Sequence, residues 1–260
     1  MIVVILSISV LLAVVAGFFL ENKRIRITAE RISHRNVKAP FTIVQVSDLH
    51  NAVFGTGQSR LIDRIKESKP DYIVITGDLF NRKNKKAFRN SFTFVRKALT
   101  ICPVFFAEGN HECALKETGK AFIDSIGDMG VTILRDEFVD LPEFRLIGLK
   151  QYAAPETLSA MLSHDKLNVV MAHRPELFPI YAGTGADVIL SGHAHGGQIR
   201  LFGRGIYAPE QGVFPTYTDG VYRIDKSTLF VSRGLGNTVP VPRVFNTPEL
   251  CVLTFEKDRS

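Results

Sequence analysis

Three short runs set the fold: FTIVQVSDLH at 41–50, YIVITGD at 72–78 and VFFAEGNHE at 104–112. Each begins as a short, mostly apolar segment of β-branched and aromatic residues and ends abruptly in Asp, Gly or Asn with a polar tail. That is the pattern of a strand buried on both faces. Between them, Leu61, Ile62 and Ile65 recur at helical spacing over 59–68, and Phe88, Phe92, Val95 and Leu99 do so over 87–100. Lys69-Pro70 stops the first helix. The order is βαβαβ with short connections, which predicts a parallel sheet with right-handed crossovers.

Beyond 112 the alternation continues less regularly. A helix is expected over 118–129, strands at 131–134 and 144–149, and a helix opening at Pro155. Further strands are expected over 167–172 and 187–190, ending at His173 and at GHAHGG (192–197). The tail supplies β segments near 221–225, 228–232 and 250–255.

Residues 2–20 carry no charge, and their only polar side chains are Ser7 and Ser9. About 20 apolar residues in a helix match a hydrocarbon core of about 30 Å, so a retained transmembrane helix over 1–20 is expected. A cleaved signal would need basic residues ahead of the run, and none stands there. Residues 21–38 then hold six basic and two acidic residues, a net charge of +4, and read as a basic juxtamembrane segment. The remaining 39–260, the expected catalytic domain, holds 26 basic and 24 acidic residues. A near-neutral body argues against a nucleic-acid partner, and a basic collar beside an apolar run suits a membrane surface. Counting Lys and Arg on either side of the run places the catalytic domain on the cytoplasmic face. Three cysteines, Cys102, Cys113 and Cys251, show no CxxC spacing, which excludes a disulfide framework and a zinc knuckle.

Asp48, His50, Asp78, Asn110, His111, His173, His193 and His195 all fall at or just after the C-terminal end of an expected strand. They include five of the seven histidines. In α/β sheets that edge is where ligands bind. Singly, each has an ordinary reading: Asp48 as a cap, Gly77-Asp78 as a turn, His173 as a satisfied buried ring. Together and in this order they form a set of carboxylate, imidazole and amide donors suited to Mn, Zn or Fe. Eight groups are too many for one ion and suit two that share a carboxylate, an arrangement that provides a hydroxide nucleophile at neutral pH and clamps a phosphoryl displacement.

The order DLH (48–50), GD (77–78), GNHE (109–112), a single His173 and GHAH (192–195) resembles the calcineurin-like metallophosphoesterases over about residues 40–255. GGQIR (196–200) and RGLGN (233–237) look like a small, membrane-anchored bacterial subgroup. The resemblance implies a four-layer α/β/β/α sandwich with two divalent ions. It implies that Asp48, His50 and His195 bind one ion, that Asn110, His173 and His193 bind the other, and that Asp78 bridges. His111 then faces the phosphate as acid or charge stabiliser. Relatives often carry Asp three residues after the bridging one, where this chain has Asn81. The implied activity is hydrolysis of a phosphodiester, phosphomonoester or pyrophosphate, with a lipid-linked or cell-envelope substrate. The alternative is a tethered binding module without turnover. Arg82, Lys83, Lys85, Lys86 and Arg89 read as a solvated helix start or as an anion contact at the mouth of the site.

Overall fold

A computed structural model of the chain describes residues 2–84, 88–238 and 242–258. The three opening strands are β2 (Phe41–Val46), β3 (Tyr72–Thr76) and β4 (Val104–Ala107), which follow an added strand β1 (Arg26–His34). The helices between them are α2 (Ser59–Glu67) and α3 (Phe88–Ala98), after the N-terminal helix α1 (Ile2–Glu21). As expected, β2, β3 and β4 pair in parallel.

Then come α4 (Asn110–Ala114), α5 (Lys116–Asp128), β5 (Thr132–Ile133), β6 (Glu137–Asp140), β7 (Phe144–Gly148), α6 (Pro155–Met161), β8 (Leu167–Met171), α7 (Phe178–Ala182) and β9 (Val188–Ser191). Two small ribbons follow, β10/β11 (Arg200–Leu201 with Arg204–Gly205) and β12/β13 (Tyr207–Ala208 with Gly212–Val213). The chain closes with β14 (Gly220–Ile224), β15 (Ser227–Val231) and β16 (Glu249–Lys257).

Two six-stranded sheets result, ordered β1-β16-β2-β3-β4-β5 and β14-β15-β9-β8-β7-β6. Side-chain alternation stacks them. In β3, Ile73 and Ile75 point outward to α2, α3 and α5, where Leu61, Phe94 and Phe122 cover them. Tyr72 and Val74 point inward and meet Phe144, Leu146 and Val169 of the second sheet. On the far side of that sheet Val170 and Ile189 pack against Leu158 of α6 and Phe178 and Tyr181 of α7. These three apolar layers between four layers of structure make the expected α/β/β/α sandwich. Phe41 marks its centre, stacked between Phe144 and Phe255 with centroids 4.7 Å from each.

Two expectations change. The basic stretch after residue 20 contains β1, an edge strand paired in parallel with β16 from Arg26↔Glu249 to His34↔Lys257. Its charges fit an edge, where one side faces water and pairing with other chains is discouraged. A membrane span over 1–20 is not supported. Among the described residues no helix is long and apolar enough to cross a membrane. A span needs about 20 consecutive apolar side chains, and within α1 the side chains of 2–6, 8, 10, 11, 13 and 14 lie outside the described residues. The end of α1 is tied to the domain: Asn22 Nδ2 donates to Arg243 O at 2.9 Å, and Phe18 meets Phe245 edge-on.

Candidate metal centre

The C-terminal ends of β2, β3, β4, β8 and β9 converge on one edge of the sandwich, and all eight singled-out residues follow them, Asn110 and His111 in the first turn of α4, His195 in a short 3-10 turn and the others in loops. Seven are buried, Asn110 being the half-buried one. The loops turn sharply: Asp48, His50, Asp78, His193 and His195 all have left-handed backbone, with φ between 47° and 66°. Such conformations cost about 1–3 kcal/mol each and persist where the surroundings enforce them, commonly at functional sites. The loops also crowd: a Cβ on Gly109 would lie 2.1 Å from Asp78 Oδ1, so only glycine lets β4's exit approach that carboxylate.

The donors gather in two sets. Asp48, His50 and His195 form one, and Asp78, His173 and His193 the other. His50 Nε2 lies 3.3 Å from His195 Nε2 and 3.8 Å from Asp48 Oδ1. In the second set His173 Nε2 lies 3.2 Å from His193 Nδ1 and 3.2 Å from Asn110 Oδ1. Asp78 stands between them, its Oδ2 3.6 Å from His50 Nε2 and 3.5 Å from His173 Nε2.

Each ring's outer partner fixes which nitrogen faces inward. His50 Nδ1 donates to Phe80 O at 3.3 Å, and His173 Nδ1 donates to Thr76 O at 2.7 Å. His193 Nε2 donates to Glu210 Oε2 at 2.6 Å. In its neutral form each of these three rings therefore turns a lone pair inward, buried beside carboxylate and amide oxygens. A divalent cation satisfies such a set, and the outer partners are those that orient metal-ligating histidines. His195 differs: Arg243 Nη2 approaches its Nδ1 at 3.3 Å.

Electrostatics agree. Burial pushes His50 down to about 3, and burial, with neighbouring His50 and Arg243, holds His195 well below the usual imidazole range. Both rings are neutral, as ligands must be. Against burial, Asp78 and Asp48 raise His173 to about 9, so a cation placed there displaces a proton. Against burial, His173, His50 and His111 hold Asp78 well below the usual carboxylate range.

His111 is placed differently. Its Nδ1 accepts the Arg82 backbone N–H at 3.1 Å. In the neutral ring Nε2 then carries the proton, and it points to Asp78 Oδ2 at 3.9 Å. Although it shares a donor group with His50 and Asp78, a protonated nitrogen does not ligate. Asn81 Oδ1 accepts the Lys83 N–H at 3.0 Å and shapes the 81–84 turn. Lys85 and Lys86 lie outside the described residues.

Two residues had no assigned role in the sequence. Glu112 accepts from the amides of Asp78, Leu79, Phe80 and Gly109 at 2.8–3.4 Å, clamping the Asp78 loop to the start of α4. Its place directly after His111 was the available signal. Glu210 supports His193 and pairs with Arg174 at 3.1 Å. It comes from the irregular β12–β13 loop, where no periodicity points to it.

A mixed α/β sandwich with two donor sets at its strand ends defines the class, and comparison with known proteins agrees. The profile of the calcineurin-like phosphoesterases matches residues 41–197. YkuE of Bacillus subtilis, an uncharacterised metallophosphoesterase, is 30% identical over 233 residues, covering 83% of this chain and 79% of its own. The Escherichia coli phosphodiesterase YaeI is 28% identical, covering 83% of this chain and 82% of its own. A Campylobacter jejuni metallophosphoesterase is 28% identical over 85% of this chain, which spans only 60% of that longer protein. In fold, TT1561 of Thermus thermophilus superposes with a TM-score of 0.50 at 11% identity, over 76% of this chain and 91% of its own. The chain belongs to the calcineurin-like phosphoesterase family, and with it to the metal-dependent phosphoester hydrolases.

Proposed function

We propose that the chain hydrolyses a phosphodiester, with Asp48, His50 and His195 holding one divalent ion, Asn110, His173 and His193 a second, and Asp78 shared. The carrying observation is Asp78 Oδ2, nearly equidistant from the inward nitrogens of His50 and His173. Bound there, two ions neutralise phosphate charge and acidify a water molecule. The chain's own contribution is to orient. Water adds to phosphorus in line with the departing ester oxygen and releases a proton to solvent, the bond to that oxygen breaks and the oxygen takes up a proton from solvent, while His111 Nε2–H donates a hydrogen bond to a phosphate oxygen as charge builds on it.

A cavity of about 610 Å³ opens beside Asn110, with Arg82, Lys150, Tyr152 and Arg174 in its wall. That is room for a second ester group, which supports a diester over a monoester. The name of the E. coli relative points the same way. Turnover of bis-p-nitrophenyl phosphate, p-nitrophenyl phosphate and a nucleoside diphosphate ester by the Mn- or Zn-loaded chain tests this. Preference for the diester supports it, and activity confined to the monoester or the pyrophosphate bond contradicts the substrate assignment.

A membrane-associated substrate and a cytoplasmic-face location belong to the same proposal. Their support is the uncharged run at 2–20 and the six basic residues that follow it. Labelling of Cys113, an exposed free thiol, by a membrane-impermeant reagent in intact cells contradicts the cytoplasmic location; labelling only after permeabilisation supports it.

A further inference from the structure

Phe202, Phe214 and Phe245 share two unusual properties. Each is exposed, at 104%, 74% and 61%, and each has left-handed backbone, with φ of 50°, 54° and 53°. Bulky side chains at positive φ are outliers, since such turns favour Gly or Asn. Phe202 and Gly203 form the two-residue tip of the β10/β11 ribbon, both at positive φ. A large apolar ring is disfavoured there by the backbone and gains nothing by packing inside. Three such rings on separate turns are not the scattered exposed side chain that any surface carries.

They lie close together. Phe202, Leu201 and Phe245 line one groove with Arg26, and the next groove joins Phe214 to Arg204 and Gly203. Phe245 also meets Phe18 of α1 in a T-shaped contact, centroids 5.4 Å apart. The face is positive. Asp219 is held by Arg200 at 2.7 Å and Arg233 at 2.7 Å, while Arg26 and Arg204, both exposed, have no acidic partner among the described residues. A shallow cavity lined by Phe19, Lys23, His50 and Arg243 opens the first donor set toward the end of α1.

We infer that the tips at Phe202, Phe214 and Phe245 dock the catalytic domain on the surface of an anionic lipid bilayer, rings in the headgroup–acyl boundary and Arg26 and Arg204 on the headgroups. Apolar rings fringed by unpaired cations are the composition that binds such surfaces. A second copy of the chain, with the same positive face, would repel it. The inference requires neither a spanning α1 nor a particular substrate.

The chain contains no Trp, so single-Trp variants report their own surroundings. Phe202→Trp, Phe214→Trp and, as a control in the cavity beside Asn110, Tyr152→Trp are made in the full chain. They are mixed with phosphatidylcholine vesicles with or without phosphatidylglycerol, including brominated lipids. Expected are a blue shift and bromolipid quenching at 202 and 214, stronger with phosphatidylglycerol and weakened by salt, and neither effect at 152. Replacing Phe202 and Phe214 by Ser then lowers partitioning about tenfold per ring. Unquenched Trp at 202 and 214 overturns the inference. So does a blue shift that grows with protein concentration without lipid, which assigns the face to self-association.

Discussion

The backbone N–H of Arg82 donates to His111 Nδ1 over 3.1 Å, and this one bond separates His111 from the histidines around it. It leaves Nε2–H as the inward group of the neutral ring, a donor among rings whose inward nitrogens are acceptors. His111→Ala is therefore expected to lower kcat by about 10²–10⁴-fold while both ions stay bound. Steady-state rates beside metal content measure this. Loss of an ion in the variant would show that His111 is a ligand.

Glu112 is buried and takes four backbone N–H groups, two on each carboxylate oxygen. Glu112→Gln replaces one acceptor oxygen by a donor, so two amides lose their partner whichever way the side chain is turned. At about 1–3 kcal/mol for each buried donor left unpaired, the variant is expected to lose about 2–6 kcal/mol of stability. Denaturant unfolding measures it. Unchanged stability would mean that the clamp does not hold the Asp78 loop.

Glu210 acts on one ligand only. Its Oε2 holds the Nε2–H of His193 at 2.6 Å, and the His193 hydrogen bond, more than any other influence, draws Glu210 down to about 2. Glu210→Ala is expected to weaken one of the two ions about 10–100-fold and leave the other unaffected. Isothermal titration with Mn or Zn resolves the two affinities; equal weakening of both speaks against the assignment.

The layered core was legible because buried parallel strands advertise themselves: YIVIT and VFFA became β3 and β4 with the expected bounds. The site was legible because its donors sit at the ends of those strands. What stayed hidden lacks periodicity. β1 is an edge strand with only partial burial on its inner face, Thr28, Glu30, Ile32 and His34. β6 leaves three of its four residues exposed. Glu210 lies on a two-residue-strand ribbon fixed by tertiary contacts. The tautomers are set by the carbonyls of Phe80 and Thr76, which no residue type encodes.

His34, in that hidden strand, joins β1 to the second sheet through Asp187 Oδ1 at 3.3 Å. Asp187 Oδ2 also accepts the Asn168 backbone N–H at 2.8 Å. Against burial, these partners hold Asp187 below its ordinary value of 3.8. A depressed carboxylate contributes stability above its unfolded value and loses it as pH falls through the folded one. Asp187→Ala is expected to cost about 1–3 kcal/mol at pH 7 and to flatten the acid limb below about pH 3.8. Parallel unfolding curves of the two proteins through that range would contradict it.

The central claim is that Asp78 is shared by two divalent ions. Elemental analysis of the full chain, purified without chelator and reconstituted with Mn or Zn, tests it most directly. Two ions per chain in the wild type, and fewer in Asp78→Asn because a neutral amide does not offset the repulsion between two cations, is the predicted result. One ion or none in the wild type, or two retained by Asp78→Asn, would contradict it.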